Sequence, residues 1–366
     1  MTFRHLLRMS VLVCIAFTVS FSAFSQGNHE SNLEIQAEFD KALSWVNESQ
    51  KLGNSSQISF YLMQEAAKNE NPLALAWLKN EAHNHSIGAL ISLGYYYGAK
   101  KESANAIANF KKAADLGSQD ALSVMASIYS EGWYGTAKNE KIGCEWSKKS
   151  AEAGNHRDAV EYSLCVGLPM IGITRDLDES CKWGEIGANG MTSELKSVQK
   201  FLKENKIDTL NNDWVTGVRT STGRSYVLFA LCLQENSKMK HRLHEAASLY
   251  KQAYELGNKY AGLLYGTMLE NGRGVVQDYE EAFRWYKITA ESGLPEAQNR
   301  LGAKYAEGKG VGKNLIEAMK WFIISSANGY DGAQDNRDKA EKMLSAIEVK
   351  RAQSLASEWM RKFKGQ

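Results

Sequence analysis

The sequence predicts an all-α protein, a solenoid of antiparallel helix pairs, and three observations carry that prediction. The first is a repeat. Ala297 to Gly332 lies over Ala261 to Glu296 at a shift of 36 residues: Gly308-Lys309-Gly310-Val311 falls on Gly272-Arg273-Gly274-Val275, Glu317-Ala318 on Glu281-Ala282, Trp321-Phe322 on Trp285-Tyr286, and Gly329 on Gly293. A period of this size that holds two helical segments marks a helical-repeat array. The second is composition: three prolines, abundant Ala, Leu, Lys and Glu, and no alternating apolar stretch. The third is a large-small-x-x-large pattern in one helix of each pair, seen in Leu93-Gly94-x-x-Tyr97, Met125-Ala126-x-x-Tyr129, Phe229-Ala230-x-x-Leu233, Tyr265-Gly266-x-x-Leu269 and Leu301-Gly302-x-x-Tyr305.

The second helix of each pair has its own marks. Counting back from the glycine that ends it, a small residue stands eleven positions earlier and an aromatic seven or eight earlier. Gly53 finds Ala42 and Trp45, Gly117 finds Ala106 and Phe110, Gly154 finds Gly143 and Trp146, and Gly257 finds Ala246 and Tyr250. His85 stands in the glycine's place with Ala74 and Trp77, and Gly190 has Trp183 but a poor small site. Small and aromatic residues three or four apart share a helix face, so one admits a neighbouring backbone and the other fills the space beside it. Glycine then ends the helix in the left-handed conformation. Repeats are thus expected to begin near residues 57, 89, 121, 158, 194, 225, 261 and 297, after a half-repeat at 33–56. In the early repeats the Gly-x-Gly-Val loop is missing, and Tyr97-Gly98-Ala99-Lys100 is expected to make a tighter connection.

Two stretches depart from the pattern. Residues 207–224 hold Asn211-Asn212-Asp213 and the polar run from Thr216 to Gly223, which is loop chemistry. An irregular loop or kink is expected there, dividing an N-terminal half (33–206) from a C-terminal half (225–332), with a flexible linker as the alternative. The second stretch is 333–366, where Ala340, Met343, Leu344 and Ile347, then Ala352, Leu355, Ala356, Trp359 and Phe363 follow a helical period. This predicts capping helices, since a terminal repeat needs a polar outer face.

The marks Ala-x-x-x-Leu-Gly-x-x-Tyr-x-x-Gly-x-Gly-Val and Ala-x-x-Trp-Tyr-x-x-Ala-Glu-x-Gly resemble those of Sel1-like repeats, relatives of the tetratricopeptide repeats. Residues 261–332 match closely, Ala121–Gly154 and Ser225–Gly257 moderately, and the remainder mainly by spacing. The resemblance implies a right-handed superhelix used as a scaffold for protein partners. Some cysteine-rich Sel1-like proteins also carry inter-helix disulfides and have been linked to penicillin binding. This chain lacks their regular cysteine pair in each repeat.

The N-terminus reads as an address. Arg4, His5 and Arg8 precede an apolar run from Met9 to Phe24, and Ala23-Phe24-Ser25 places small residues at −3 and −1. This is the build of a cleavable signal peptide over 1–25, with cleavage expected after Ser25 and a periplasmic or secreted product. An N-terminal membrane anchor is the alternative, but the run of roughly 16 residues is shorter than the ~20 a span needs. Of the 44 Lys and Arg, Arg4 and Arg8 leave with this segment, so the rest balances the 42 acidic residues. No basic surplus points to nucleic acid, and none points to a membrane surface.

Chemistry is sparse. The Gly-x-Gly-Val loops follow a helix rather than a strand, so they read as helix-terminating turns and not as phosphate cradles. His83-Asn84-His85 and His241-x-x-His244 lack further ligands at metal-binding spacing. No catalytic constellation stands out, and no cofactor is implied. In an oxidising compartment Cys144, Cys165, Cys181 and Cys232 can pair. Cys144 lies ten residues before Gly154 and Cys165 eleven after it, so antiparallel helices bring them level; Cys144–Cys165 is the first expectation and Cys165–Cys181 the second. Four buried small hydrophobes is the remaining reading. Tyr95 and Tyr96 fall off the core pattern and are candidate partner anchors, with packing on the preceding repeat as the competing reading. The function expected is a non-enzymatic interaction scaffold of the bacterial cell envelope. A cell-wall or β-lactam-binding enzyme and a secreted factor acting on a host cell are the alternatives.

Overall fold

A computed structural model describes residues 35–37, 39–44, 71–168, 173–205 and 213–364, and every regular element among them is helical. The expected signal segment 1–25, Trp45 and Gly53 lie outside the described residues. The chain divides into two compact units: residues 1–176 with 196–208, and residues 177–195 with 209–366.

In the first unit, residues 35–37 and 39–44 are helical, followed by α1 (Pro72–His83), α2 (Ile87–Ala99), α3 (Ser103–Asp115), α4 (Gln119–Glu131), α5 (Glu140–Glu152) and α6 (His156–Gly167). Most of these helices start on a side chain that accepts the free N–H groups of the first turn: Asn71, Ser86, Ser118, Asn139 and Asn155. Such a cap contributes about 1 kcal/mol. Gly117 and Gly154 end their helices with φ of +86° and +94°, and His85 takes the glycine's place at +62°. The marked small residues do what their spacing implies. The Phe110 ring lies so close over Gly94 that a Cβ there would come within 2.7 Å of it, and a Cβ on Gly143 would come within 3.0 Å of the Ser130 backbone. One detail differs from expectation. Helix α2 runs through Gly98, and the turn is made by Lys101 at φ +61°. Gly98 instead receives the ring of Tyr134, whose Cε1 would lie 2.3 Å from a Cβ.

The second unit takes the first part of α7 (Leu177–Asn205), then α8 (Asp213–Glu235), α9 (Leu243–Glu255), α10 (Lys259–Asn271), α11 (Tyr279–Glu291), α12 (Pro295–Glu307), α13 (Leu315–Ala327), α14 (Gly332–Glu341) and α15 (Ala346–Lys364). Here the repeat reading needs correcting. Residues 213–224 are helix, not loop, and the separate helices expected around 194 and 225 are absorbed into α7 and α8. Gly190 and Gly223 therefore sit inside helices and end nothing. The polar letters do not stop the helix, since its buried hydroxyls find partners in it: Thr222 Oγ1 donates to the Val218 carbonyl at 2.8 Å and, just past the run, Ser225 Oγ to that of Thr222 at 2.7 Å. Val215, Val218, Thr222, Ser225, Phe229 and Leu233 are all buried, a helical stripe running straight through the polar letters.

The two Gly-x-Gly-Val loops have a packing role. Gly272 and Gly308 end α10 and α12 in the left-handed region, and the second glycine of each loop presses on the start of the preceding repeat's second helix. A Cβ on Gly274 would lie 2.3 Å from the Leu243 carbonyl, and one on Gly310 would lie 1.9 Å from the Tyr279 oxygen. Beyond α13 the cap departs in part from expectation. Ala340, Ala352 and Ala356 are buried, whereas Met343 and Ile347 are exposed, because the chain breaks between α14 and α15 and turns them outward.

Gly310→Ala should therefore destabilise the protein by about 3 kcal/mol through strain and overlap with backbone. Gly257→Ala, at φ +100° with nothing within 4 Å, should cost only ~1 kcal/mol of left-handed strain. Urea unfolding of the two variants checks the ordering.

Candidate interaction surface

Among the described residues of the first unit, aromatic side chains gather where α2 meets the α4–α5 connection. Phe110 is the buried centre. Tyr95 meets it edge-on at 5.0 Å between ring centroids, and Tyr134 stacks on it at 5.9 Å. Tyr134 holds a left-handed backbone (φ +54°) inside the short turn Trp133–Gly135, which replaces the Gly-x-Gly-Val loop of the later repeats. Tyr95 is 39 % exposed and Trp133, whose indole N–H donates to Glu131, is 42 % exposed. Burial, and then the negative charge of Asp120, pushes the Tyr95 hydroxyl above the usual phenol range. Burial, with Tyr95 nearby, does the same to Tyr134. Both stay protonated at any physiological pH and can donate a hydrogen bond.

The two tyrosines singled out by sequence separate here. Tyr96 packs on the cluster of Ala42, Ala74, Leu78, Ala89 and Leu93, so it belongs to the core shared with α1, the preceding repeat. Tyr95 stays at the surface. Tyr134 and Trp133 were missed by the sequence reading. The signal that could have found them is the aromatic pair in a loop where the two later repeats carry Gly-x-Gly-Val.

The cysteines pair within units. Cys144 on α5 is bonded to Cys165 on α6, with 6.0 Å between Cα atoms, and Cys181 on α7 is bonded to Cys232 on α8 at 5.4 Å. The alternative pairing of Cys165 with Cys181 is not formed. The sequence reading did not pair Cys232; the structure brings it level with Cys181 by laying α8 along α7, where the Thr192 and Tyr226 hydroxyls also meet at 2.7 Å.

Charge is handled internally. Lys304 on α12 is 5 % exposed and meets Glu270 of α10 at 2.5 Å, while Glu270 also accepts from the Tyr286 hydroxyl at 2.8 Å. Burial alone would raise the Glu270 pKa; the hydrogen bonds from Lys304 and Tyr286 and the nearby cations outweigh it, and the net shift is downward. Its contribution to stability is thus present above the ordinary carboxylate range and lost as pH falls through the depressed value. In the same unit Arg242 forks onto Glu185 at 2.8 and 3.0 Å and onto Glu245 at 2.8 and 2.9 Å. Among the described residues no group of His, Cys, Asp or Glu could hold a metal ion, and no helix is long and apolar enough to cross a membrane.

With the helix pairs, their left-handed turns and their seated rings in place, comparison with known proteins is decisive for the family. The Sel1 repeat model matches residues 87–118, 119–155, 243–258, 261–294 and 295–330. The chain is a Sel1-repeat protein. Solved structures similar to it include a Sel1 repeat protein from Oxalobacter formigenes, 22% identical, covering 75% of this chain and 100% of that one with a TM-score of 0.51. A protective antigen of uropathogenic Escherichia coli with an SLR fold is 19% identical over 90% of this chain and 76% of that one, at TM-score 0.47. Cysteine-rich protein B of Helicobacter pylori is 27% identical over 33% of this chain and 96% of that one, at TM-score 0.27. The Oxalobacter likeness is one of fold. No curated protein matches the chain. Sel1-repeat proteins are in general non-catalytic interaction scaffolds.

Peptide mapping without reduction should recover Cys144–Cys165 and Cys181–Cys232 as linked pairs. For closed loops of 21 and 51 residues, replacing both cysteines by serine should cost about 3 and about 4 kcal/mol respectively.

Proposed function

We propose that this Sel1-repeat protein is a non-enzymatic scaffold of the bacterial cell envelope, working outside the cytoplasm, and that it holds a protein or peptide partner on the aromatic surface of its first unit. The observation that carries this reading is the exposed Tyr95, seated on Phe110 and flanked by Tyr134. The marked positions of the repeats are consumed by packing and helix ending, so a partner must read residues that do not recur. A tyrosine held on a rigid ring offers apolar area and a hydroxyl at small entropic cost, which is what interface anchors supply. The two disulfides and the signal-like segment 1–25 support an oxidising location.

The test uses the protein recovered from periplasm and from culture supernatant. Its N-terminus should be Gln26. Used as bait on envelope extract, it should enrich a protein that the Tyr95→Ala variant captures at least about tenfold less, the loss expected of an anchor residue. The variant's unfolding midpoint should stay close to that of the parent. Equal capture by both proteins, or no enrichment by the parent, contradicts the reading.

A further inference from the structure

The C-terminal helices carry a second, independent signal. Between Gly332 and Lys364 no glycine or proline interrupts the sequence, and Ala340, Met343, Leu344 and Ile347 keep helical spacing across the break. The break nonetheless turns Met343 and Ile347 outward at 60 % and 81 % exposure; among the described residues only Val276 is a more exposed large apolar side chain. What holds the chain bent is a capping box. The Ser345 N–H and hydroxyl both donate to Glu348 Oε2, at 2.8 and 2.7 Å, and the Glu348 N–H returns to Ser345 Oγ at 3.4 Å.

Helix α15 also sits in a seat made for it. Ala352 and Ala356 are fully buried, Trp359 meets Trp321 of α13 edge-on at 5.4 Å, and Phe363 stacks on Trp359 at 4.8 Å. The tip of Phe363 lies over the turn between α11 and α12, where a Cβ on Gly293 would come within 2.5 Å of it. The corresponding turns at Gly257 and Gly329 have nothing within 4 Å. One repeat earlier, Trp285 meets Tyr254 edge-on at 5.2 Å, besides Tyr265 of its own helix pair at 5.0 Å. The residue that corresponds to Tyr254 is the buried Ala290, so the seat is left open and a ring arriving from α15 completes it.

We propose that α15 exchanges between two copies of this chain. The residues 342–345 straighten, α14 and α15 join into one helix, and each α15 docks on the α11–α13 seat of the other copy. The contacts of α15 with its seat are kept and only the capping box at the bend is given up, which is why such swapping is a low-cost route to a two-fold dimer. Met343 and Ile347, wasted on solvent in the closed form, then lie along the joined helices where the two chains cross and meet their counterparts. The interface between copies is continuous with the seat already described.

The full-length protein, as purified, is followed by light scattering on a sizing column over a hundredfold range of concentration. The paired substitution Ser345→Ala with Glu348→Ala removes the box and should raise the dimer association constant about tenfold or more, since two caps are lost per dimer. Ala346→Pro suits the first turn of α15 but cannot lie inside a joined helix, so it should remain monomeric. In a dimer assembled from ¹⁴N- and ¹⁵N-labelled protein, zero-length crosslinking of Lys320 to Glu358, which lies in the field of Lys320, should yield mixed-isotope pairs. A dimer whose Lys320–Glu358 links are all of one isotope overturns the proposal. So does a capping-box variant that stays monomeric throughout, or an Ala346→Pro variant that dimerises as the parent does.

Discussion

A ring seated over a residue with little or no side chain is the contact on which the repeats depend. Phe110 lies over Gly94, Tyr286 over Gly266 and Phe322 over Gly302, in each case so close that a methyl group would fall between 2.6 and 2.9 Å from the ring. The contact closes the two helices of a pair and leaves Phe110 and Tyr286 with no exposed surface. Left-handed turns then pass the chain to the next pair, and the second glycine of each loop lets that pair lean on the backbone of the one before. Ring, notch and turn are therefore one constraint: the ring needs the helices close, and the turn must return the chain without pushing them apart.

That constraint is short-range in sequence, which is why so much of the fold was legible. The notch and the ring lie within one repeat, and the helix-ending residue a few positions further on. Even His85 could be placed in a left-handed turn from spacing alone. Where legibility failed, composition misled. The run from Thr216 to Gly223 has the letters of a loop, but its buried Thr222 hydroxyl is satisfied by the Val218 carbonyl of the same helix, and Val218 faces the core. Gly190 has a helix-ending letter in a helix that does not end there. Met343 and Ile347 have the spacing of a buried face, yet the capping box at Ser345 and Glu348 breaks the helix between them and the core. In each case a local hydrogen bond or a long apolar stripe outweighed residue type.

The candidate surface was less legible, for a related reason. Tyr95 was recognisable because it breaks the pattern of its own helix. Tyr134 was not, because it acts through a left-handed backbone and a notch at Gly98, neither of which leaves a periodic mark. The second disulfide, between Cys181 and Cys232, joins residues 51 apart in sequence, beyond the reach of spacing within one repeat. Residues that recur build the array and can be read by aligning repeats, whereas residues that recognise a partner are individual by necessity. In the second unit the paired charges of Lys304 and Glu270 are turned inward, where they hold α12 to α10 and are not offered to a partner.

The central claim, that ring and notch form one coupled unit, is tested most directly by a double-mutant cycle on Gly302 and Phe322. Alanine favours a helix over glycine by about 1 kcal/mol, yet Gly302→Ala should destabilise the protein because its Cβ meets Phe322 at 2.6 Å. In the Phe322→Leu background the same change should cost at least ~1 kcal/mol less, a coupling of the size found between side chains in contact. Strictly additive costs, or a stabilising Gly302→Ala in the parent protein, would contradict the account.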